Sequence, residues 1–389
     1  MRDYTRFFKP TDESFFLFGP RGTGKSTLMR KLFKDALWID FLKPQVERTF
    51  QGRPEVLYEM LEANKNIGQK QVVIDEVQKV PQVLSIVHDL MEQKKGWQFI
   101  LTGSSARKIK RSGADLLAGR ALNYTLHPFM ASELGSDFNL HESLQFGLLP
   151  LVNQSQNKEA ILQAYIELYL KEEIQAEGLT RNIGAFARFL EAFSFSHGAI
   201  LNTTNIAREC QVNRKTVENY INILNDLLLS YELSVFSKHS KRELMKSNKI
   251  YYFDAGVFNA IRPKGFLDQP GTIVGATLEG LVLQHLIAWN DYSINKSKLH
   301  FWHTITNVEV DFIIYNENEL IAIEVKHSKH TSPEDVKSLR IFIKDYPMAN
   351  CLLLYNGENR IMQNGILCIP IKEFLLNLRP NKSCIEGLF

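Results

Sequence analysis

The hydrophobic residues in the first third of the chain fall into short runs that are separated by longer segments of mixed character. The runs are SFFLFG, ALWID, QVVID and WQFILTG. Uninterrupted apolar runs of this length are typical of strands that are buried on both faces, and helical spacing separates them. This alternation predicts a parallel α/β domain over residues 1–135. A purely helical spacing, as in ILQAYIELYLKEEI, then continues through residues 136–194.

Residues 195–260 have the pattern of a smaller unit. The stretch LNTTNIARECQVNRKTVENY predicts two helices that are joined by a short turn at Gln211–Asn213. We expect Thr203 or Thr204 to be the N-cap of the first of these helices, because a hydroxyl can accept hydrogen bonds from the first helical turn. The apolar residues of 231–236 predict a strand after the second helix.

The last segment, residues 261–389, predicts a second α/β domain. Its first part, 261–275, contains two prolines and three glycines and therefore predicts a linker or turn region. Further along, 308–314 and 320–326 are apolar segments of strand character. The polar residues Asn316–Glu319 supply a turn between them, so we expect the two strands to pair as a hairpin.

Composition and charge give limits and no specific function. The 389 residues carry a net charge of +3 with a pI near 8.5, which is too weak a basic balance to indicate nucleic acid by itself. The four cysteines have no CxxC spacing, so neither a zinc site nor a disulfide framework is supported. The N-terminus has no apolar leader and no run of 18 apolar residues occurs, so we expect a cytoplasmic protein without a membrane segment.

A phosphate-binding loop is the most specific chemical signal in the sequence. The stretch GPRGTGKST, residues 19–27, matches GxxxxGK[ST], follows an apolar strand and opens a helical pattern. Glycines allow backbone N–H groups to surround phosphates, and the helix N-terminus adds positive potential. We expect Lys25 to reach the terminal phosphates and Ser26 to bind Mg²⁺. The residues predicted to bind ATP and Mg²⁺ are Gly19, Gly22, Thr23, Gly24, Lys25, Ser26, Thr27, Asp75 and Ser104.

Two further strand ends supply acidic and hydroxyl groups. The run VVID ends in Asp75, which we expect near the metal, and in Glu76, which can polarise a water for attack on the terminal phosphate. The run FILT is followed by small hydroxyl residues. One of Thr102, Ser104 or Ser105 can contact that phosphate or orient the water, although each can also be the cap of the next helix.

These motifs resemble those of AAA-type ATPases. GPRGTGKST resembles their Walker A segment, VVIDEVQKV their Walker B segment and ILTGSSAR their sensor-one strand. The later residues LLAGR, LHPF and EL resemble one prokaryotic group, in which an AAA-type module precedes a nuclease-like domain of uncharacterised role. The resemblance implies that an arginine from a neighbouring subunit completes the site, with Arg120 as the first candidate and Arg107 as a weaker one. A structural salt bridge of Arg120 is the alternative. If the arginine acts in trans, the protein must oligomerise to hydrolyse ATP, so the expected partner is a second copy of this chain or another protein.

The two-helix unit resembles a winged-helix domain. That resemblance implies that Asn213, Arg214, Lys215 and Asn219 face a DNA groove, because the start of the second helix contacts base edges. Winged helices also serve as packing modules between domains, and this alternative stays open. The loop 238–249 carries five Lys or Arg against one Glu, so it can contact a phosphate backbone or be an ordinary solvated loop.

The predicted C-terminal hairpin brings metal-binding chemistry together. Pairing of its strands can place Asp311 beside Glu324, and two converging carboxylates suit Mg²⁺. Lys326 lies two residues from Glu324 and so faces the same side, where it can position an attacking water. This pattern resembles the D-x(n)-ExK signature of the PD-(D/E)XK nucleases. The resemblance implies that Asp311 and Glu324 are metal ligands, that Lys326 is catalytic and that Glu279 is an additional candidate.

The resemblances together imply an α/β protein with a P-loop ATPase domain, a helical and winged-helix middle and a restriction-endonuclease-like domain. The domains expected are 1–135, 136–194, 195–260 and 261–389. The first hypothesis is an ATP-hydrolysing protein whose nucleotide state controls a DNA-binding, nuclease-like domain with Mg²⁺-dependent cleavage. The alternative is an ATP-dependent switch or scaffold that binds a protein partner through a non-catalytic nuclease fold.

Overall fold

The structure, a computed structural model, describes most of the chain and separates it into two compact units. The described residues are 3–65, 70–104, 117–170, 183–238, 240, 242–244, 247–266 and 270–388. The N-terminal unit comprises residues 8–127 and 226–228. The C-terminal unit comprises residues 1–7, 128–225 and 229–389.

The N-terminal unit alternates strands and helices. In chain order its elements are β1 (Phe15–Phe18), α1 (Lys25–Leu32), β2 (Leu37–Asp40), α2 (Pro44–Gly52), α3 (Val56–Ala63), β3 (Gln71–Asp75), a 3₁₀ turn at Val77–Lys79, α4 (Val83–Glu92), β4 (Gln98–Thr102), a second 3₁₀ turn at Leu117–Gly119, and β5 (Leu122–Thr125).

Five parallel strands of the described N-terminal residues form one sheet in the order β2-β3-β4-β1-β5. The four strands predicted from apolar runs are all in it, and the predicted parallel α/β architecture is confirmed. The prediction missed β5, because LNYT is short, half polar and lies at the sheet edge. Since β4 lies between β1 and β3, its carboxyl end lies between the loop after β1 and the acidic end of β3.

The C-terminal unit is a larger mixture of helices and strands. In chain order its elements are α5 (Ala131–Leu134), a 3₁₀ turn at Gly135–Asp137, α6 (Leu140–Phe146), α7 (Pro150–Asn153), α8 (Lys158–Ala164), a π-helical segment at Tyr165–Leu170, α9 (Ile183–Ser194), β6 (Ala199–Ile200), α10 (Thr203–Cys210), α11 (Arg214–Asp226), β7 (Ser230–Val235), β8 (Lys249–Tyr252), α12 (Ala255–Ile261), α13 (Pro270–Tyr292), β9 (Lys298–His303), β10 (Glu309–Tyr315), β11 (Leu320–Lys326), α14 (Lys337–Asp345), β12 (Asn350–Tyr355), β13 (Ile361–Gln363), β14 (Ile366–Pro370) and α15 (Ile371–Asn377).

The strands of this unit form one mixed sheet, in the order β13-β14-β12-β11-β10-β9-β7-β8-β6 over the described residues. Buried residues on one face pack with α13 and α15, and those on the other face pack with α14. The strand β7 pairs in parallel with β9, where Ser234 lies opposite His300. Strands from both sides of residue 260 therefore share a sheet, while the domain boundary at 260/261 stays a prediction.

Helices α10 and α11 follow the predicted helix–turn–helix pattern, with one correction. The N-cap of α10 is Asn202, whose side chain accepts from the backbone N–H of Asn205, and not Thr203 or Thr204. Asparagine one position earlier performs the same capping chemistry as threonine. The turn after α10 contains Gln211 in the left-handed conformation, as helix ends commonly require.

Helix α13 begins at Pro270, inside the segment that the sequence predicted as a linker. Proline is well tolerated at the first position of a helix, so the pattern of prolines and glycines was misleading there. The span Gly271–Tyr292 is long enough and apolar enough to cross a membrane, with a mean hydropathy of 1.3. A core helix has the same properties, and Leu281, Leu283 and Leu286 are fully buried against the sheet.

Candidate functional site

The loop between β1 and α1 has the shape of a phosphate cradle. A Cβ atom on Gly19 would lie 2.4 Å from the carbonyl oxygen of Leu126, so a side chain cannot be accommodated at this position. Gly24 is the N-cap of α1 with φ 88°, a left-handed conformation, and nothing lies within 4 Å of its Cβ position. At Gly19 the loop backbone therefore packs directly against the backbone of Leu126, and at Gly24 it faces open space in which a polyphosphate can bind.

Lys25 is the first residue of α1 and its side chain is buried within this loop. Its Nζ donates to the carbonyl oxygens of Gly19 at 2.7 Å and of Pro20 at 3.2 Å. Thr23 is buried and donates through Oγ1 to the same carbonyl of Pro20 at 2.9 Å. The ammonium group thus lies against backbone carbonyls of the loop, where phosphate oxygens of a bound nucleotide are stronger acceptors.

The next two positions of α1 are Ser26, which is half-buried, and Thr27, which is exposed. Gly22 completes the set of loop glycines and has φ 81°. All of the loop residues predicted to bind ATP therefore lie in the segment between β1 and the first turn of α1.

Asp75 and Thr102 join the ends of the neighbouring strands β3 and β4. The hydroxyl of Thr102 donates to Oδ1 of Asp75 and accepts from the backbone N–H of Glu76 at 3.3 Å. Asp75 is 1% exposed, and Glu76 has φ 59°, a left-handed conformation that is unusual for a residue with a side chain. Thr102 therefore fixes both acidic residues at the edge of the sheet that carries the glycine loop.

Gln78 connects Glu76 to Ser104, and sequence reasoning missed it. Its Nε2 donates to Oε2 of Glu76 and, at 3.0 Å, to Oγ of Ser104. All three side chains are buried. In the sequence, Gln78 is only a glutamine two residues after Glu76 in DEVQ. Such a glutamine is indistinguishable from an ordinary polar residue of a turn. Gln78 controls the orientation of the Glu76 carboxylate.

The arginine candidates are only partly described. Arg120 forms an ion pair with Glu92, and both side chains are exposed on the N-terminal unit. Ser105 and Arg107 lie outside the described residues. A role for Arg120 in the site of another subunit stays a prediction.

The donor set of this site fits ATP with Mg²⁺. A hydroxyl and a carboxylate, from Ser26 and Asp75, are oxygen ligands of the kind that Mg²⁺ prefers. The glycine cradle and Lys25 are suited to phosphate oxygens, and α1 presents its N-terminus to the same space.

The predicted C-terminal hairpin is confirmed as the antiparallel pair β10–β11. The register pairs Phe312 with Ile323, and one further step along it places Asp311 opposite Glu324. Both carboxylates are buried, at 7% and 6% exposure. Oδ2 of Asp311 accepts from the backbone N–H of Val325 at 2.8 Å. The structure thus brings the two predicted carboxylates together.

Lys326 lies beside this pair, as the spacing predicted. Its Nζ donates to Oε1 of Glu324 at 2.5 Å, while Oε2 of Glu324 accepts from the hydroxyl of Ser338 at 3.1 Å. Both oxygens of Glu324 therefore already have a donor.

Lys249 adds a second, unpredicted lysine to the same region. It is the first residue of β8 and is 1% exposed. Its Nζ donates to Oε1 of Glu279 at 3.1 Å and to Oε1 of Glu309, and lies 3.8 Å from Oδ1 of Asp311. The sequence had placed Lys249 in a basic loop. The carboxylate cluster consists of Glu279, Glu309, Asp311 and Glu324 with the ammonium groups of Lys249 and Lys326.

Burial and mutual repulsion shift the titration of this cluster. Burial, followed by the charge of Asp311, raises the pKa of Glu324 to about 8 and that of Glu279 to about 7. Burial opposes the charge of Lys249, but the nearby carboxylates outweigh it and raise the pKa of its ammonium group. Lys249 therefore remains charged, while Glu279 and Glu324 retain protons more readily than exposed glutamates.

A divalent metal does not fit this cluster as it is arranged. Oε1 of Glu279, Oδ2 of Asp311 and both oxygens of Glu324 accept from ammonium, amide and hydroxyl donors. The ammonium nitrogen of Lys249 also lies 3.8 Å from Oδ1 of Asp311. Over the part of the chain that is described, no group of three or more His, Cys, Asp or Glu residues has metal-binding geometry. A metal would have to displace a lysine from its carboxylate.

The proposed DNA-facing residues lie at the start of α11. Arg214, Lys215 and Asn219 are exposed, and Arg214 pairs with Glu218 at 2.8 Å. The side chain of Asn213 accepts from the N–H and the hydroxyl of Thr216, so it caps α11.

The basic loop 238–249 is largely engaged where it is described. Lys238 lies over the ring of Tyr315 at 4.5 Å, and Arg242 pairs with Asp345 at 2.6 Å. Of its other three cations, Lys249 lies in the carboxylate cluster, and Lys241 and Lys246 lie outside the described residues. These contacts give the loop a structural role in the C-terminal unit.

Family comparisons divide the chain into three matched regions. Residues 11–135 match an AAA domain. Residues 137–267 match a domain of unknown function (DUF8612), and residues 274–374 match a second domain of unknown function (DUF4143). The β7–β9 pairing and the Lys249 contacts thus connect the second and third matched regions.

Among curated proteins, "Uncharacterized protein Rv2008c" of Mycobacterium tuberculosis and "Uncharacterized protein Mb2031c" of Mycobacterium bovis are similar to this chain. Each is 24% identical over 368 residues, which cover 92% of this chain and 80% of the relative. The similarity therefore extends across all three matched regions.

Two solved structures have partial likeness. A replication initiator DnaA bound to AMPPCP and single-stranded DNA has a TM-score of 0.24 and 15% identity over 55% of this chain and 82% of its own. Protein VC1899 from Vibrio cholerae has a TM-score of 0.20 and 11% identity over 81% of this chain and 90% of its own. TM-scores this low carry no argument about fold or function.

The family match covers one continuous stretch of the chain. The same stretch contains the parallel sheet, the glycine loop with Lys25 and the acidic end of β3. Residues 11–135 of this chain match an AAA domain and have a P-loop ATPase-like parallel sheet and glycine loop, and two regions that match families of unknown function follow.

Proposed function

We propose that this protein binds ATP with Mg²⁺ in the loop after β1 and hydrolyses it with Glu76 as the residue that activates water. The observation that supports this most is the meeting of three chemical elements at one edge of one sheet. These are the glycine cradle with Lys25, the acidic pair after β3 and the hydroxyl groups after β4.

Each group has a defined role in this proposal. Lys25 leaves the loop carbonyls to bind the terminal phosphates, because a charged acceptor is stronger than a neutral one. Ser26 and Asp75 would hold Mg²⁺, which when bound neutralises phosphate charge. Glu76 accepts the proton of the attacking water, and Gln78 sets the direction of its carboxylate. Ser104 contacts the terminal phosphate, and its hydrogen bond with Gln78 connects that contact to Glu76.

The test of this site is steady-state ATP hydrolysis by the full chain with Mg²⁺, together with equilibrium ATP binding. Lys25→Ala should abolish measurable hydrolysis and weaken binding, since it removes the charge in the cradle. Lys34→Ala is the matched control, because Lys34 is exposed just beyond α1. Hydrolysis that survives in Lys25→Ala would contradict the proposal.

A neighbouring subunit can contribute Arg120 to this site in the proposal. In the single chain Arg120 is paired with Glu92 on the surface. If Arg120 acts in trans, Arg120→Ala protein mixed with Lys25→Ala protein should recover part of the hydrolysis lost in either alone. If oligomers that contain both variants form and hydrolysis does not recover, Arg120 is not part of the site.

We further propose that the nucleotide state governs what the C-terminal unit binds, and that this unit acts as a switch or scaffold. The paired lysines of the carboxylate cluster favour this version over Mg²⁺-dependent DNA cleavage. A DNA partner remains one form of the proposal, supported by the exposed Arg214, Lys215 and Asn219. Binding that weakens steeply with salt would indicate DNA, and salt-insensitive capture would indicate a protein.

The cleavage prediction has its own direct test. Plasmid and single-stranded DNA are incubated with Mg²⁺ or Mn²⁺, with and without ATP, and the products are compared between wild type and Lys326→Ala. The matched control is Lys337→Ala, on the exposed surface of α14. We expect no cutting by any of the three proteins. Cutting that is lost only in Lys326→Ala would establish a nuclease in place of the scaffold.

A further inference from the structure

Lys249 occupies the position among the carboxylates at which a cation is required. Its ammonium group contacts one carboxylate from α13, Glu279, and two from the β10 segment, Glu309 and Asp311. These three side chains come from two elements, α13 and β10, and Lys249 itself comes from a third, β8. One buried ammonium group is therefore the common partner of three carboxylates that would otherwise repel one another.

The surrounding atoms hold Lys249 in place. Tyr251, two residues along β8, donates its hydroxyl to the same Oε1 of Glu279. The centre of the Phe301 ring lies 5.5 Å from the ammonium nitrogen, so the charge also faces an aromatic ring. With 2% of its side chain exposed, Lys249 cannot leave the cluster without opening the packing around β8.

Lys326 neutralises the other end of the cluster. It pairs with Glu324, which faces Ser338 of α14 with its second oxygen. Across the cluster, ammonium, N–H and O–H groups donate to Oε1 of Glu279, to Oδ2 of Asp311 and to both oxygens of Glu324, and Nζ of Lys249 lies 3.8 Å from Oδ1 of Asp311. The arrangement is that of a completed ion-pair network and differs from a set of ligands that is open toward a metal.

We propose that the ammonium group of Lys249 is the resident cation of the carboxylate cluster, and that the C-terminal unit binds no divalent metal there. The lysine takes the place that Mg²⁺ would take between Glu279 and Asp311. Because Lys249 belongs to the 137–267 region and the carboxylates belong to the 274–374 region, this ion network also fastens the two regions together.

The first test measures Mn²⁺ binding to the nucleotide-free full chain by electron paramagnetic resonance. Wild type and Asp311→Asn should give the same titration, because no Mn²⁺ ion is held by the cluster. A stoichiometric Mn²⁺ site that is present in wild type and absent in Asp311→Asn would overturn the proposal. This measurement needs no change at Lys249 and so does not depend on how well a Lys249 variant folds.

The second test removes the cation. Lys249→Met should gain a Mn²⁺ site that disappears again when Asp311→Asn is added, and millimolar Mn²⁺ should raise its melting temperature. Lys249→Arg keeps the charge and should gain no site. Lys382→Met is the matched control, because Lys382 pairs with Glu386 on the surface. A folded Lys249→Met protein that neither binds Mn²⁺ nor is stabilised by it would overturn the proposal.

This inference deepens the scaffold version of the proposed function and can fail separately from it. ATP hydrolysis should be the same in wild type, Lys249→Met and Lys249→Arg, whether or not the variant gains a Mn²⁺ site, since the residues of the cluster lie in the C-terminal unit. Loss of hydrolysis in Lys25→Ala tests the first proposal alone, and Mn²⁺ titration of wild type tests this one alone.

Discussion

The two sites of this protein each contain a buried lysine, and the difference lies in what the lysine contacts. In the nucleotide site Lys25 donates to the backbone carbonyls of Gly19 and Pro20. In the carboxylate cluster Lys249 contacts three carboxylates. A phosphate can compete with neutral carbonyls for an ammonium group, but it cannot readily displace carboxylates. The first lysine is suited to a ligand, and the second is suited to structure.

The same contrast applies to the space around the two lysines. The nucleotide loop is built from glycines, and the position beside Gly24 opens on free space. The carboxylate cluster is filled by side chains from β8, α13, β10 and β11, and its central lysine is almost fully buried. Residue types that indicate phosphate or metal chemistry in a sequence therefore have different roles, depending on the groups that surround them in the fold.

The largest effect that would sharpen this comparison is expected at Glu76. Glu76→Gln should lower kcat for ATP hydrolysis by roughly 10²- to 10⁴-fold, because it removes the group that accepts the proton of water. ATP binding should persist, since the cradle and Lys25 are intact. Turnover and equilibrium binding are measured side by side, with the exposed Glu13→Gln as control. Unchanged turnover would assign water activation to another group.

The next effect concerns stability, at Lys249. Lys249→Met should lower the free energy of unfolding of the C-terminal unit by roughly 3–5 kcal/mol, because it removes the cation that the carboxylates of Glu279, Glu309 and Asp311 share. The exposed pair of Lys382 and Glu386 supplies the comparison, and Lys382→Met should cost at most about 1 kcal/mol. Denaturant unfolding of both variants checks the difference. Equal losses would mean that Lys249 is no more important than a surface lysine.

A smaller effect is expected at Gln78. Gln78→Met should lower kcat by roughly 10- to 100-fold with little change in KM for ATP, since one hydrogen bond to a charged group is worth roughly 1.5–3 kcal/mol. The effect should vanish when Glu76→Gln is already present, because Gln78 acts through Glu76. A loss of activity that persists in the Glu76→Gln background would indicate a general structural defect.

The smallest effect, when it is measured over the first pH unit below 6.5, concerns acid and arises from His197 in the C-terminal unit. Burial lowers the pKa of His197 to about 3. A depressed histidine pKa means that the unfolded chain binds the proton first, so stability is lost as pH falls below about 6.5. The loss approaches about 1.4 kcal/mol per pH unit.

The measurement compares the pH dependence of unfolding in wild type and His197→Gln. Burial also raises the pKa of Asp254 to about 6, and this group contributes with the opposite sign between pH 4 and 6. That contribution is present in both proteins and cancels in the difference. Parallel curves for the two proteins would exclude His197 as a source of acid sensitivity.

Local patterns were sufficient for a large part of the fold. The four apolar runs became β1, β2, β3 and β4, and the polar turn at 316–319 became the bend between β10 and β11. These elements follow from burial on both faces and from turn chemistry, which act over a few residues. The short strand β5 and the early start of α13 were missed, because their local composition resembles loop.

The candidate sites divide in the same way. Spacing alone brought Asp311, Glu324 and Lys326 onto one hairpin, as the structure has them. Gln78 and Lys249 could not be assigned from spacing. Gln78 acquires its role only when β3 and β4 place Glu76 and Ser104 on either side of it. Lys249 acquires its role only when β8 lies beside α13 and β10.

The sequence by itself determined the phosphate loop, the acidic strand end and the hairpin, because each is a local pattern whose chemistry depends on neighbouring residues. The tertiary structure decided which charges are already balanced. A carboxylate that is open to a metal and one that is neutralised by a distant lysine are identical in sequence. They differ only in which donors and cations the folded chain brings within hydrogen-bond or ion-pair distance, and here residues far apart in the sequence supply those groups.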